Sequence, residues 1–241
     1  MISFFLDILF PPTCAGCRIH KGSPVCRQCE RAITTARMLE NRCPVCDHRL
    51  VETACEFCAI QPLALQQIFS LGAYEAELYN IIMAFKFHGQ KRLAAYLGRL
   101  MADILCSECR THPDCILFPP MQKDRLRERG YNTAELLAHT IGGAAHIPVW
   151  DIFGRSRIAP PQRTLGRAER ITNVRQLFIL RKDILSLQEK HVVIADDVTT
   201  TGSTLNALAQ ECLNAGAASV TGITAAYPAA KPIHILYSQR S

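Results

Sequence analysis

The 241-residue chain is 49% hydrophobic and 20% charged, a balance that excludes a largely disordered or collagen-like polypeptide and leaves room for a packed core. Twelve cysteines would suit a disulfide scaffold if they were spread through a short secreted chain, but eight of them fall as four pairs within the first 58 residues, which points to metal instead. The formal charge of +6 is unevenly placed: residues 121–182 hold twelve Lys/Arg against five Asp/Glu, a basic stretch suited to phosphate esters or a nucleic-acid backbone.

The opening run Ile2–Phe10 is apolar but short of the roughly 20 residues a bilayer span needs. It contains Asp7 and leads into Pro11-Pro12 rather than a small-residue cleavage site, so neither a membrane span nor a signal peptide is expected, only a buried or interfacial helix. Four CxxC pairs follow, Cys14/Cys17, Cys26/Cys29, Cys43/Cys46 and Cys55/Cys58, the second two repeating the spacing of the first two. Each CxxC turn grips one ion with two sulfurs, and two such knuckles complete a closed tetrahedral thiolate site that suits structural zinc. Sequential pairing is the simplest arrangement, an interleaved one stays open, and His20 and His48 lie near enough to be alternative ligands. A stretch this poor in apolar periodicity depends on metal for folding, and thiolate ligands favour the reducing cytoplasm. Residues 1–62 are therefore read as a double zinc ribbon.

Residues 63–241 read as an α/β domain. Tyr74 to Phe87 places Leu78, Ile81, Ile82 and Phe85 on one helical face, and a second helical run passes through Leu93, Leu97, Leu100, Met101, Ile104 and Leu105. That run ends in Cys106-x2-Cys109, followed by His112 and Cys115; Cys115 opens an apolar strand to Phe118 and reads as a core residue rather than a ligand. Asn132 can cap a helix through Leu136, Leu137 and Ile141, with Glu135 three residues on. Leu177–Leu180 and His191–Ala195 read as strands, Ser203–Ala215 as a helix stopped by Gly216, and Ser219–Ala226 as a strand. Strand–helix–strand in this order predicts a parallel sheet flanked by helices.

The chemistry concentrates in residues 192–204, VVIADDVTTTGST. An apolar strand delivers Asp196 and Asp197 at its carboxyl end, and a loop of hydroxyls and one glycine then opens a helix. Main-chain N–H groups at Thr201–Thr204 and the positive helix end suit a phosphate monoester, with Gly202 allowing close approach. Carboxylates repel phosphate, so the acids fit sugar hydroxyls or the hydration shell of Mg²⁺. Neither a Walker A lysine nor a three-glycine dinucleotide fingerprint is present. This stretch resembles the signature of type I phosphoribosyltransferases. The resemblance implies that Asp196 and Asp197 meet the ribose hydroxyls of phosphoribosyl diphosphate and that Thr200, Thr201, Gly202 and Thr204 hold the 5-phosphate; Thr199 and Ser203 in the same run are further ligand-binding candidates.

The ribbons in front of such a domain narrow the family further. Phe10-Pro11-Pro12-x-Cys14 with the knuckles, Ile82-x2-Phe85-Lys86-Phe87-x-Gly89, Pro119-x5-Arg125-x3-Arg129-Gly130-Tyr131-Asn132-x-Ala134 and Arg167-x2-Arg170-x2-Asn173-Val174-x3-Phe178 together resemble the ComF/GntX family, associated with competence for DNA uptake. The resemblance implies a type I phosphoribosyltransferase-like fold, with Arg125, Arg129 and the Gly130 backbone at the diphosphate, Arg167 and Arg170 closing over it, and Lys86 nearby. It further implies Mg²⁺ bound with the ligand, single-stranded DNA as a macromolecular partner, and contact with other DNA-uptake proteins. Phe118-Pro119-Pro120 and Pro161-Gln162-Arg163 depart from the family's usual valine-proline and Thr-x-x-Gln. A metabolic phosphoribosyltransferase with a zinc brace is the alternative, and Trp150 and Phe153 beside Arg155 and Arg157 are candidates for base stacking, against the simpler reading of Trp150 as core.

Overall fold

The computed structural model describes residues 13–39, 41–50, 55, 58–59, 63–155, 178–181 and 186–229. The opening run Ile2–Phe10, the boundary at residue 62, Arg157, and Arg167 and Arg170 lie outside the described residues. In chain order the elements are α1 (Arg27–Leu39), β1 (Gln67–Ala73), α2 (Ala76–Phe87), α3 (Leu93–Glu108), β2 (Cys115–Leu117), α4 (Lys123–Arg129), α5 (Thr133–Ala145), β3 (Phe153–Arg155), β4 (Phe178–Leu180), β5 (His191–Val198), α6 (Ser203–Asn214) and β6 (Ser219–Tyr227).

The expected parallel sheet is present, with strand order β1-β6-β5-β2 and every pair parallel. Alternate residues of each strand feed two cores, one on each face. Phe69, Leu71, Val193, Ala195, Ile223 and Ala225 pack against α2, α3 and α5, while Ile68, Leu117, Val192, Ile194 and Val220 pack against α6 and Phe153. This two-sided burial is why the apolar run at 192–194 shows no alternation. On the second face β3 and β4 form a separate antiparallel pair; β4 falls within the strand expected at Leu177–Leu180, whereas β3 was not expected.

Strand β1 was also not expected, and its composition explains why. Ser70 and Gly72 interrupt its apolar run; Ser70 is nevertheless buried, its hydroxyl sharing a 2.8 Å hydrogen bond with that of Thr224 on β6. What makes this segment a strand is β6, far away in sequence.

Both outer edges of the sheet are covered. At β2, Ile116 N–H donates to the Pro148 carbonyl and Trp150 N–H donates to the Ile116 carbonyl. At β1, Ile68 N–H donates to the Val45 carbonyl at 2.7 Å and Ser70 N–H donates to the Asp47 carboxylate at 2.6 Å, both in the second cysteine knuckle. Cys14, Val25, Cys29 and Ile33 belong to the same buried cluster as Phe69 and Leu71. The cysteine-rich start thus fills the position of a neighbouring strand and relieves an edge that would otherwise expose unpaired N–H groups.

Candidate functional site: two thiolate clusters and a cavity at the sheet's carboxyl end

The eight cysteines form two groups, Cys14/Cys17/Cys26/Cys29 and Cys43/Cys46/Cys55/Cys58, with all Sγ atoms of a group within 4.8 Å of one another. Pairing is therefore sequential. A ZnS4 tetrahedron with bonds of ~2.3 Å sets S···S separations at about 3.8 Å. Cys14–Cys29, Cys17–Cys26 and Cys43–Cys58 stand at 3.7, 3.9 and 3.8 Å, and Cys46–Cys55 at a tighter 3.3 Å. Backbone amides of His20 and Ile19 lower the Cys17 thiol to about 6, which favours the thiolate a metal requires. The donor set fits a closed four-sulfur ion, and the two histidines stand outside it. His48 places Nδ1 3.1 Å from the Cys46 carbonyl oxygen and sets its ring 4.7 Å from that of Tyr227. Cys115 is fully buried on β2, a core residue as expected, whereas Cys106 is exposed.

The carboxyl ends of all four parallel strands open onto one cavity of about 720 Å³. Tyr74, Pro119, Asp196, Asp197 and Pro228 line it from the strand ends; Thr200 and Thr204 come from the loop and first turn of α6; Lys86, Arg125 and Arg129 face it from α2 and α4. Seven of the sequence-derived candidates thus meet in one place. Gly202 caps α6 with φ +68°, a left-handed conformation that favours glycine, and its carbonyl accepts the Asn206 N–H at 2.8 Å. The first-turn N–H groups beyond it have no intrahelical acceptor by geometry. The Thr201 and Ser203 hydroxyls hydrogen-bond each other at 2.7 Å, stiffening the loop.

In two candidates the main-chain N–H is already engaged. The Thr199 N–H donates to the Ala226 carbonyl at 3.0 Å, which ties the end of β5 to β6. The Gly130 N–H donates to the Leu126 carbonyl at 2.8 Å, closing α4; with φ +77° its contribution is the left-handed turn that swings the chain from α4 into α5. Asn132 caps α5 as expected, its side chain accepting from Ala134 N–H at 3.1 Å while its Nδ2 donates to the Pro119 carbonyl at 3.0 Å.

The acid pair is asymmetric. Asp197 is buried and held by two donors: Lys86 Nζ lies 2.7 Å from Oδ1, and the Thr133 hydroxyl donates to Oδ2 at 2.5 Å. Asp196 accepts only the Asp197 N–H, at 2.8 Å, among the hydrogen bonds of the described residues. Burial and the adjacent Asp197 carboxylate push its pKa up to about 7, with that amide and Lys86 opposing. Thr133 was missed by the sequence reading, as was Arg155's place on the cavity wall, where its guanidinium lies 5.5 Å from the Phe178 ring. Arg129 stacks likewise over Phe87, at 5.1 Å. Phe153 is fully buried and not available to stack bases; Trp150 is partly buried with Lys190 Nζ 5.8 Å over its ring.

Among curated proteins, the chain is 32% identical to the DNA utilization protein YhgH of Escherichia coli K12 over 223 residues, covering 87% of this chain and 94% of that protein. The chain belongs to the ComF/GntX family. A second family relative, competence protein F of Haemophilus influenzae, is 29% identical across 82% of this chain and 89% of its own length. Competence protein ComFC of Bacillus subtilis is 27% identical across 83% and 82%. Solved structures similar to the chain include glutamine phosphoribosylpyrophosphate amidotransferase from B. subtilis (17% identity, TM-score 0.42, 63% of this chain and 32% of that one) and purine phosphoribosyltransferase from Pyrococcus horikoshii (19%, 0.36, 58% and 78%). No family model matches the sequence. Among the described residues no helix of this ComF/GntX chain is long and apolar enough to cross a membrane.

Proposed function

We propose that the chain is a cytoplasmic DNA-uptake factor whose cavity binds phosphoribosyl diphosphate with Mg²⁺ and whose basic surface holds single-stranded DNA. One observation carries the reading: the twin acids at the end of β5, the hydroxyl loop opening α6 and the arginines of α4 share a single cavity. The 5-phosphate sits at the first turn of α6, where backbone amides and the helix dipole favour an anion. Asp196 and Asp197 accept from the sugar hydroxyls. Arg125 and Arg129 meet the diphosphate, joined by Arg167 and Arg170 as the family resemblance implies. Mg²⁺ travels with the ligand, held by diphosphate oxygens and water, and supplies neutralisation of the diphosphate charge. Zinc in both cysteine groups is structural, since four sulfurs leave no open position.

DNA binding is supported by relatives known as a DNA utilization protein and a competence protein and by the chemistry of α4, whose seven residues include Lys123, Arg125, Arg127 and Arg129, none of them buried. Titration calorimetry with Mg²⁺ and phosphoribosyl diphosphate tests the ligand. The protein binds it, and Asp196→Asn combined with Asp197→Asn abolishes the heat while circular dichroism stays unchanged. Unaltered affinity in the double variant refutes the assignment.

A further inference from the structure

Asp197 lies at the end of a continuous polar chain that starts on a different arm of the cavity. Arg129 Nη1, at the end of α4, donates to the Thr133 hydroxyl at 3.2 Å; that hydroxyl donates to Asp197 Oδ2 at 2.5 Å; Lys86 Nζ meets the other carboxylate oxygen at 2.7 Å. The direction of the hydroxyl proton follows from the chemistry of its neighbours. A guanidinium carries only donors, so Thr133 can only accept from Arg129, and its single proton must point at the carboxylate. Thr133 is 1% exposed at the first position of α5. Its backbone is fixed by Asn132, which is bonded on both sides of the turn, and the Tyr131 hydroxyl donates to the Phe85 carbonyl, anchoring the same turn to the end of α2 that bears Lys86. A hydroxyl that both accepts a charge-assisted bond and gives one is polarised, and each bond strengthens the other.

We infer that Thr133 is a positioning residue for the ligand site: its hydroxyl couples Arg129, at the diphosphate arm, to Asp197, at the sugar arm, so that the two halves of the site are held in register by one side chain. Valine or alanine at this position leaves Asp197 Oδ2 without this donor and, among the described residues, Arg129 with only its stacking over Phe87. The inference rests on the phosphoribosyl diphosphate reading for what the site takes, but the relay itself is a property of the ligand-free protein.

The experiment therefore has two arms. In calorimetry with Mg²⁺ and phosphoribosyl diphosphate, Thr133→Val, which keeps the volume and removes the hydroxyl, binds at least ~10-fold more weakly than wild type, in line with the loss of a charge-assisted bond. Thr133→Ser, which keeps the hydroxyl, binds within ~3-fold of wild type. In urea unfolding without ligand, Arg129→Gln and Asp197→Asn shift stability non-additively when Thr133 is present, and additively when Thr133→Val is built into both. Wild-type affinity in Thr133→Val, equal loss in Thr133→Ser, or additivity with Thr133 present overturns the relay. Absence of ligand heat from the wild type alongside a non-additive cycle overturns the ligand reading and supports the relay.

Discussion

Asp47 and Ser70 join the second cysteine knuckle to the sheet: the Asp47 carboxylate accepts the Ser70 backbone N–H at 2.6 Å, completing the edge of β1. The same carboxylate accepts from Arg37 at 2.6 Å and Arg42 at 2.8 Å, and Arg37 forks to Glu108 on α3 with two 2.7 Å bonds. Burial alone would lower the Arg37 guanidinium, but Asp47 and Glu108 hold its pKa above the usual value. One carboxylate therefore serves as acceptor to two largely buried guanidinium groups and one backbone donor, with Glu108 supplying the second negative charge at Arg37.

Removing it takes the shared carboxylate from both guanidinium groups and the acceptor from the Ser70 N–H, while Arg37 keeps Glu108 and Arg42 keeps the Asp47 and Ser70 carbonyls. Asp47→Ala is expected to destabilise the protein by about 3 kcal/mol, the cost of taking the carboxylate from two largely buried guanidinium groups, which lowers Tm by roughly 6–12 °C for a chain of this size. Arg49→Ala, which breaks the exposed 2.8 Å pair with Glu75, serves as the control and stays within ~1 kcal/mol of wild type. Differential scanning calorimetry separates the two; equal small losses would contradict the hub.

Metal removal should reach beyond the knuckles. Val45 and Asp47 supply two acceptors to β1, and Cys14 and Cys29 share a core with α2 and α3. Stripping zinc with a strong chelator is expected to lower the melting of the sheet itself, in one transition monitored by Trp150 fluorescence and far-ultraviolet dichroism together. An early ribbon transition followed by an unshifted second one would count against this.

Stability and binding pull Asp196 in opposite directions. Its folded pKa, near 7, exceeds the ordinary carboxylate value of 3.8, so the folded state holds a proton that the unfolded chain releases between those limits. Its contribution is present below pH ~4 and is lost as pH rises through 7. Asp196→Asn, neutral throughout, should melt higher than wild type by ~5 °C or more at pH 8 and equally at pH 4, while failing to bind ligand. A gain independent of pH would rule out the titration as its cause.

DNA binding should be separable from ligand binding on α4. Lys123 and Arg127 are exposed and do not line the cavity, whereas Arg125 and Arg129 do. Fluorescence anisotropy with a single-stranded thymidine oligonucleotide is expected to show steep salt dependence and little sequence preference. Lys123→Ala with Arg127→Ala should reduce the slope of log K against log salt by about 1–2 with phosphoribosyl diphosphate affinity unchanged. An unaltered slope would move the DNA elsewhere.

The readable parts of this molecule are those whose cause is local. The run Val192–Ile194 ending in two acids, the Asn132 cap and the doubled CxxC spacing each carry their own signal within a few residues, and all three stand where expected. Strand β1 does not, because its pairing partner Thr224 is 154 residues from Ser70. Helix α4 has no buried residue and hence no apolar stripe to betray it. Thr133 looked like an ordinary first-turn residue; only the fold brings it to Asp197, 64 positions away, and no spacing rule spans that gap.

The first strand of the sheet pairs on its inner side with the last, so during synthesis it must wait for nearly the whole chain to emerge before that side is satisfied. Its outer side has a partner from the beginning, in a knuckle made only some twenty residues earlier. An ion captured early at the exit of the ribosome would thus give the nascent strand a docking template, shielding a sticky margin from neighbouring polypeptides until β6 arrives. Scarcity of zinc in the growing cell would then be felt first as aggregation of half-made molecules rather than as failure of finished ones.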